Sequence, residues 1–271
     1  GRAPGDSGNG RGMTDFIIGL TDYAGLGPKV IWAAALVFLR VGAAMAMMPA
    51  FGEQAVPQRV RLVLALAFTA VVTPAVSDGL PSVETGFVLP VLAETVIGLA
   101  LGIGLRLMVM SLQMAGAIAA QSTSLSQMVG GIGPEPQPAI TNLLVMAGLA
   151  LAVSSGLHVR VAELLIGSYQ ILPAGRIPDA KDMADWGLFR ISSAFALAFS
   201  LAAAFSIAAL LYNVALGVIN RAMPTLMVTF IGAPALTAGG LILLMLCAPM
   251  MLQYWLHILS GFLDAPFKVT P

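Results

Sequence analysis

ISSAFALAFSLAAAFSIAALLYNVALGVIN (residues 191–220) carries no charged side chain in thirty positions, and from Ile191 to Leu263 the only formal charge is Arg221. A stretch that long and that apolar is a membrane-spanning helix before it is anything else, because about 20 apolar residues already suffice to cross the hydrocarbon. After a break at Arg221, Ala222, Met223 and Pro224, residues Leu226 to Ile258 repeat the signal, with Pro234 and Pro249 expected to interrupt it.

Working back from this pair, four further runs have the same character. VIWAAALVFLRVGAAMAMMPAF (30–51) has Arg40 near its middle, and Leu62 to Val76 is a short run that follows Arg59 and Arg61. Phe87 to Leu112 contains Glu94 and Arg106, and Ala139 to Leu157 is the fourth. Beyond it, Leu157, Val161, Leu164, Leu165, Ser168, Ile171 and Leu172 fall at helical spacing opposite Arg160, Glu163 and Gln170, which predicts a short amphipathic helix. The fold class is therefore an all-α polytopic membrane protein of about six long apolar helices plus one amphipathic helix. LPAGRIPDAKDMADWG (172–187) reads as an exposed connection, and the Gly-rich residues 1–12 as a disordered extension or cloning scar outside the fold.

Composition agrees and excludes several function classes. Of 271 residues, 58% are hydrophobic and 10% charged, against roughly 45–50% and about 25% in average soluble domains. Net charge is zero and the thirteen basic residues are scattered, so there is no basic face for nucleic acid. The single cysteine, Cys247, allows neither an internal disulfide nor a thiolate cluster. His158 and His257 lie far apart with no HExxH pattern, no GxSxG nucleophile elbow exists, and the GGIG at 130–133 lacks the Lys-Ser/Thr of a phosphate loop. Ser154 and Ser155 beside His158 read as a polar span end rather than a nucleophile pair. The chain is read as a non-enzyme without metal or cofactor.

The informative features are charges in apolar surroundings. Arg40, Glu94, Arg106 and Arg221 each need a partner on another helix or chain, or a wet cavity, because an unpaired charge in the membrane costs several kcal/mol. Glu94 and Arg106 cannot serve each other, since twelve positions on a helix separate them by about 18 Å and about 120°. For Arg40 and Glu94 two readings stay open, structural pairing and a transport pathway; for Arg106 snorkelling is the default. Gly98 and Gly102 make a GxxxG spacing suited to close helix packing. Met45, Met47, Met48, Met108, Met110 and Met114 read as adaptable core fillers, with a deformable seal as the alternative. Gln113 to Ala139 is uncharged before Glu135 and rich in Gln, Ser, Gly and Pro, so it must be enclosed by protein or line water. A pore constriction and an ordinary re-entrant connection both satisfy that requirement. The positive-inside test splits, with Arg59, Arg61 and Arg221 voting against Arg2, Arg11, Lys29, Arg176 and Lys181.

Ordered pieces of the chain resemble the FliR family of flagellar biosynthesis proteins and its counterparts in virulence type III secretion: RVGAAMAMMPAFGEQAVPQRVRLVLALA (40–67), AETVIGLALGIGLRL (93–107), QMAGAIAAQ (113–121), GPEPQPAITNLL (133–144), GLHVRVAELLIGSYQILPAG (156–175) and NRAMPTLMVTFIGAPALTAGGLILL (220–244). Two departures stand out, at Gly133-Pro134-Glu135-Pro136 and at Thr225, where the family often has an acidic residue before Pro and a Gln after Pro. The resemblance implies a FliP-like helical part (13–190) followed by a FliQ-like helical hairpin (191–271). It implies a noncatalytic export-gate subunit in the bacterial inner membrane at the flagellar basal body, assembled with FliP-like, FliQ-like and FlhB-like chains and passing unfolded export substrates. It also implies a pore-plug loop near 113–138, with Gln121, Ser122, Met128, Gly130, Gly131 and Ile132 toward the channel. The alternative is a small-solute secondary transporter using Arg40 and Glu94 at a midplane site, which calls for inverted repeats that residues 30–112 and 139–258 do not display.

Overall fold

The computed structural model describes residues 27–49, 57–81, 86–123, 139–222 and 228–268, and among them every regular element is helical. The order is α1 (Pro28–Met47), α2 (Gln58–Val76) with a 3-10 turn at Ser77–Gly79, α3 (Val88–Thr123), α4 (Ala139–Ser154), α5 (Leu157–Ile171), α6 (Ala180–Ala222) and α7 (Val228–Asp264). Among the described residues five helices are long and apolar enough to cross a membrane, or six spans if α4 and α5, broken at Gly156, count as one. In hydrocarbon a helix satisfies its own backbone, which is why apolar runs of this length take no other form.

Local signals set the ends. Pro28 starts α1 at a position where its missing N–H is not needed, and the helix stops at Met47 because the ring of Pro49 holds Met48, the residue preceding it, in the extended conformation. Gly156, with φ of +87°, supplies the left-handed turn between α4 and α5. Hydroxyls inside the apolar helices bond back to their own backbone: Thr69 donates to the Ala65 carbonyl and Ser111 to that of Met108.

Three sequence expectations are corrected. The uncharged segment begins as helix, not loop, because α3 continues through Gln113 to Thr123. The exposed connection 172–187 is helical from Ala180 onward. Neither Pro234 nor Pro249 interrupts α7; a proline removes one backbone bond, and neighbouring turns hold an apolar helix together around that loss.

The chain divides into two compact units. In the first, residues 1–102 and 162–180, α1 packs along α2, and Leu36, Val37, Val41, Ile97 and Leu101 are fully buried. Trp32 donates its indole N–H to the Pro81 carbonyl at 2.9 Å and lies against Phe87. In the second, residues 103–161 and 181–271, Leu112, Ala115, Leu144, Phe205 and Trp255 form the interior, and α4 packs on α7. Trp255 donates to the Met108 carbonyl at 2.8 Å, and Trp186 to that of Pro266 at 2.8 Å. Gly148 leaves room for Leu112, and Gly104 for Phe262, where a Cβ would collide.

Candidate functional site

The first unit encloses a polar cluster built on Arg40 of α1 and Glu94 of α3, both with no exposed surface. A guanidinium buried alone would cost several kcal/mol, so its surroundings have to answer every donor. They engage all three of its nitrogens, through four hydrogen bonds, from three directions. Arg40 Nε donates to Glu94 Oε2 at 2.7 Å and Nη2 to Oε1 at 3.0 Å, a bidentate fork. Nη1 donates to Ser168 Oγ at 2.9 Å, and Nη2 also reaches the Leu172 carbonyl at 3.0 Å. The carboxylate accepts two more bonds, from Tyr169 O–H at 3.1 Å and from the Gly175 backbone N–H at 3.2 Å. The Tyr169 ring lies 3.6 Å from the guanidinium carbon, a cation–π contact.

Small residues make this geometry possible. Glu94, Gly98 and Gly102 stand four apart on one stripe of α3, and the glycines press onto α1 at Arg40, Ala43, Ala44 and Met47. A Cβ at Gly98 would stand 2.9 Å from the Ala43 Cβ, and one at Gly102 2.8 Å from that of Met47, besides overlapping the carbonyls of Arg40 and Ala44. The close approach brings the Arg40 side chain within reach of Glu94 one turn away. Gly175 reaches the carboxylate because its φ of +75° turns the chain back after α5.

Chemically the cluster is enclosed. Both carboxylate oxygens and all three guanidinium nitrogens are engaged, and neither group is open to solvent, so what it can do is lock α1, α3 and the C-terminal end of α5 together. It offers no face to a solute. Among the described residues no group of three His, Cys, Asp or Glu is placed to hold a metal.

The other residues singled out by sequence fall elsewhere. Arg106 and Arg221 are exposed and form no ion pair among the described residues. Gln121 is exposed in the last turn of α3. Ser122, half-buried, donates to the Ala119 carbonyl at 2.8 Å and lines a cavity of about 240 Å³ with Phe205, Tyr212 and Leu236. Met128, Gly130, Gly131 and Ile132 lie outside the described residues. Sequence reading missed Ser168, Tyr169, Leu172 and Gly175 as partners of the charge pair. A signal existed: α5 ends just before Pro173, so its last carbonyls are orphaned and available to a buried donor.

Comparison with known proteins adds the identity of the scaffold. Residues 31–262 match the family model for bacterial export proteins, family 1. The chain is similar to flagellar biosynthetic protein FliR of Caulobacter vibrioides, 34% identical over 239 residues, covering 86% of this chain and 95% of that protein. It is also similar to FliR of Escherichia coli, 28% identical over 82% of this chain and 86% of the relative, and to FliR of Bacillus subtilis, 27% identical over 78% and 84%. Matched along nearly all of its apolar helices, the chain belongs to the bacterial export proteins, family 1, the family of FliR.

Proposed function

We propose that this chain is a noncatalytic core subunit of the flagellar protein export gate, contributing part of the channel through which unfolded substrates cross the inner membrane. Its membership in the FliR family makes it a membrane component of the flagellar export apparatus. The finer reading rests on one observation, the length and exposure of the last two helices. Val228 to Leu263 is free of charge, and such a run is about 54 Å long, whereas the hydrocarbon is about 30 Å thick. Tilt absorbs only part of that excess.

Along the apolar stretch of α7 only 11% is buried, and Leu241, Ile242, Met245, Leu246 and Met250 are all exposed. On α6, Phe199, Leu210, Leu211, Val214 and Val218 are equally bare. Apolar surface that extends past the bilayer needs protein to cover it. FliP-like and FliQ-like chains, with a FlhB-like chain, are the proposed cover, and the α6–α7 hairpin is the proposed FliQ-like element. In this assembly the segment around Gln121–Ile132 closes the resting channel. The transporter alternative lacks an accessible midplane site, since the Arg40–Glu94 pair is enclosed.

Co-expression with FliP-like and FliQ-like chains, followed by gentle solubilisation and affinity purification through this chain, tests the assignment. All three chains are expected in one complex of fixed composition. A monodisperse, detergent-stable monomer with cooperative thermal unfolding, obtained from this chain alone, overturns it.

A further inference from the structure

The second unit contains a groove of about 670 Å³ between the first turns of the apolar part of α6 and the C-terminal end of α7. Arg190, His257 and Lys268 line it, with no acidic side chain among the lining residues. Arg190 is 8% exposed. Its Nη2 donates to the carbonyls of Pro266 and Lys268, both at 2.9 Å, and its guanidinium carbon lies 4.9 Å from the Phe262 ring, but its buried Nε has no partner among the described residues. Asp185, the acid nearest to Arg190 along the chain, is exposed and forms no ion pair with it among the described residues, and Asp264, nearest to Lys268, is engaged by Arg160. Carbonyl dipoles and a ring face orient a guanidinium without neutralising it, so a buried cation here lacks its counter-charge. The rest of the groove is apolar, with Met108, Leu197 and Ile258 along it.

Position narrows the ligand. Arg190 immediately precedes the charge-free run beginning at Ile191, and Lys268 follows the charge-free run ending at Leu263. Both cations thus stand at one and the same end of the two charge-free runs, and basic residues in that position are the ones that meet lipid phosphates where a span leaves hydrocarbon. We propose that this groove is a binding site for an anionic phospholipid, its phosphate held by Arg190, His257 and Lys268 and an acyl chain lying along Met108, Leu197 and Ile258. The site requires that the chain be embedded in a membrane; its test uses the proposed complex, whose subunit composition is read in the same spectra, so a failed assembly is told apart from a failed lipid site.

Native mass spectrometry of the complex purified through this chain and stripped of lipid, then titrated with palmitoyl-oleoyl phosphatidylglycerol or the phosphatidylcholine of the same chains, tests the proposal. The anionic phosphatidylglycerol is expected to bind at least about fivefold more tightly than the zwitterionic phosphatidylcholine, as each basic residue near a headgroup is worth roughly that factor. Arg190 also supports the C-terminal carbonyls, so the variants of choice are the exposed His257→Glu and Lys268→Glu; together they are expected to abolish the preference while the complex keeps its subunits. Equal binding of the two lipids, or an unchanged preference in the double variant, overturns the proposal. Displacement of the lipid by glycerol 3-phosphate at comparable concentration does so too, because it identifies a free-phosphate site. A photo-crosslinker at Ser193 is expected to capture phosphatidylglycerol, and one that captures only protein shows that a partner chain fills the groove and likewise overturns it.

Discussion

The main-chain carbonyl of Arg40 occupies the space that a side chain at Gly98 would need. Both obstacles to a larger residue there, that carbonyl and the Ala43 Cβ, are parts of α1 that cannot rotate away. Gly98→Ala is expected to cost about 1–3 kcal/mol, the usual range for overpacking a close contact. Gly98→Leu is expected to prevent accumulation. Thermal unfolding of the purified complex and immunoblotting of membranes measure the two effects; a Gly98→Leu protein at parental level contradicts the packing.

Replacing Glu94 exposes the cost of the buried guanidinium. Glu94→Ala is expected to lower stability by about 3–5 kcal/mol, with Glu94→Gln intermediate because the amide keeps an acceptor for Tyr169 or Gly175. The pair Arg40→Met with Glu94→Leu is expected to be milder than Glu94→Ala, since no lone charge remains. Complex yield and secretion of a flagellar substrate rank the variants, and full yield from Glu94→Ala refutes the argument.

Tyr169 contributes a hydroxyl and a ring, and the two separate. Tyr169→Phe removes one hydrogen bond to a carboxylate, worth about 1.5–3 kcal/mol. Tyr169→Ala also removes the ring under Arg40, and is expected to lose about a further 0.5–2 kcal/mol in cation–π attraction alone. Unfolding midpoints of the two variants in one detergent give the comparison, and equal midpoints deny the ring its role.

For the channel, deletion of residues 124–133 is expected to leave subunit assembly intact and to let ions and small dyes enter the cell. The motive is compositional: in the proposed channel, an uncharged stretch with Met128 beside a GGIG sequence suits the filling of a narrow passage. Dye entry and conductance in cells producing the deletion decide it. A tight membrane around an assembled complex makes the segment a connection only.

Much of the helical layout was legible because charge-free runs have one solution in lipid, and the amphipathic spacing from Leu157 to Leu172 marked α5 as a different kind of helix. The charges Arg40 and Glu94 announced a need for partners, yet their meeting across 54 residues of chain was not readable, since nothing in sequence specifies which apolar helices lie side by side. Gln113–Thr123 misled for a related reason: Gln, Ser and Gly look unsuited to lipid, but a helix whose Ala115, Ala119 and Ala120 are buried against protein accepts them. Arg190 escaped notice because its partners are backbone carbonyls, which leave no residue signature.

The clamp around Arg40 also has a history within each molecule's synthesis. Glu94 is made 54 residues after Arg40, and the Leu172 carbonyl 132 residues after it. At roughly 5–20 residues per second, the arginine enters the membrane about 3–11 s before its counter-ion and about 7–26 s before the last of these bonds can close. For that interval α1 carries a cation whose partner on α3 does not yet exist, at a cost of several kcal/mol wherever it is placed in hydrocarbon. The order of synthesis thus fixes the order of assembly: the ion pair cannot form before α3 has been made, and the bond to Glu94 from the turn at Gly175 is the last that can close.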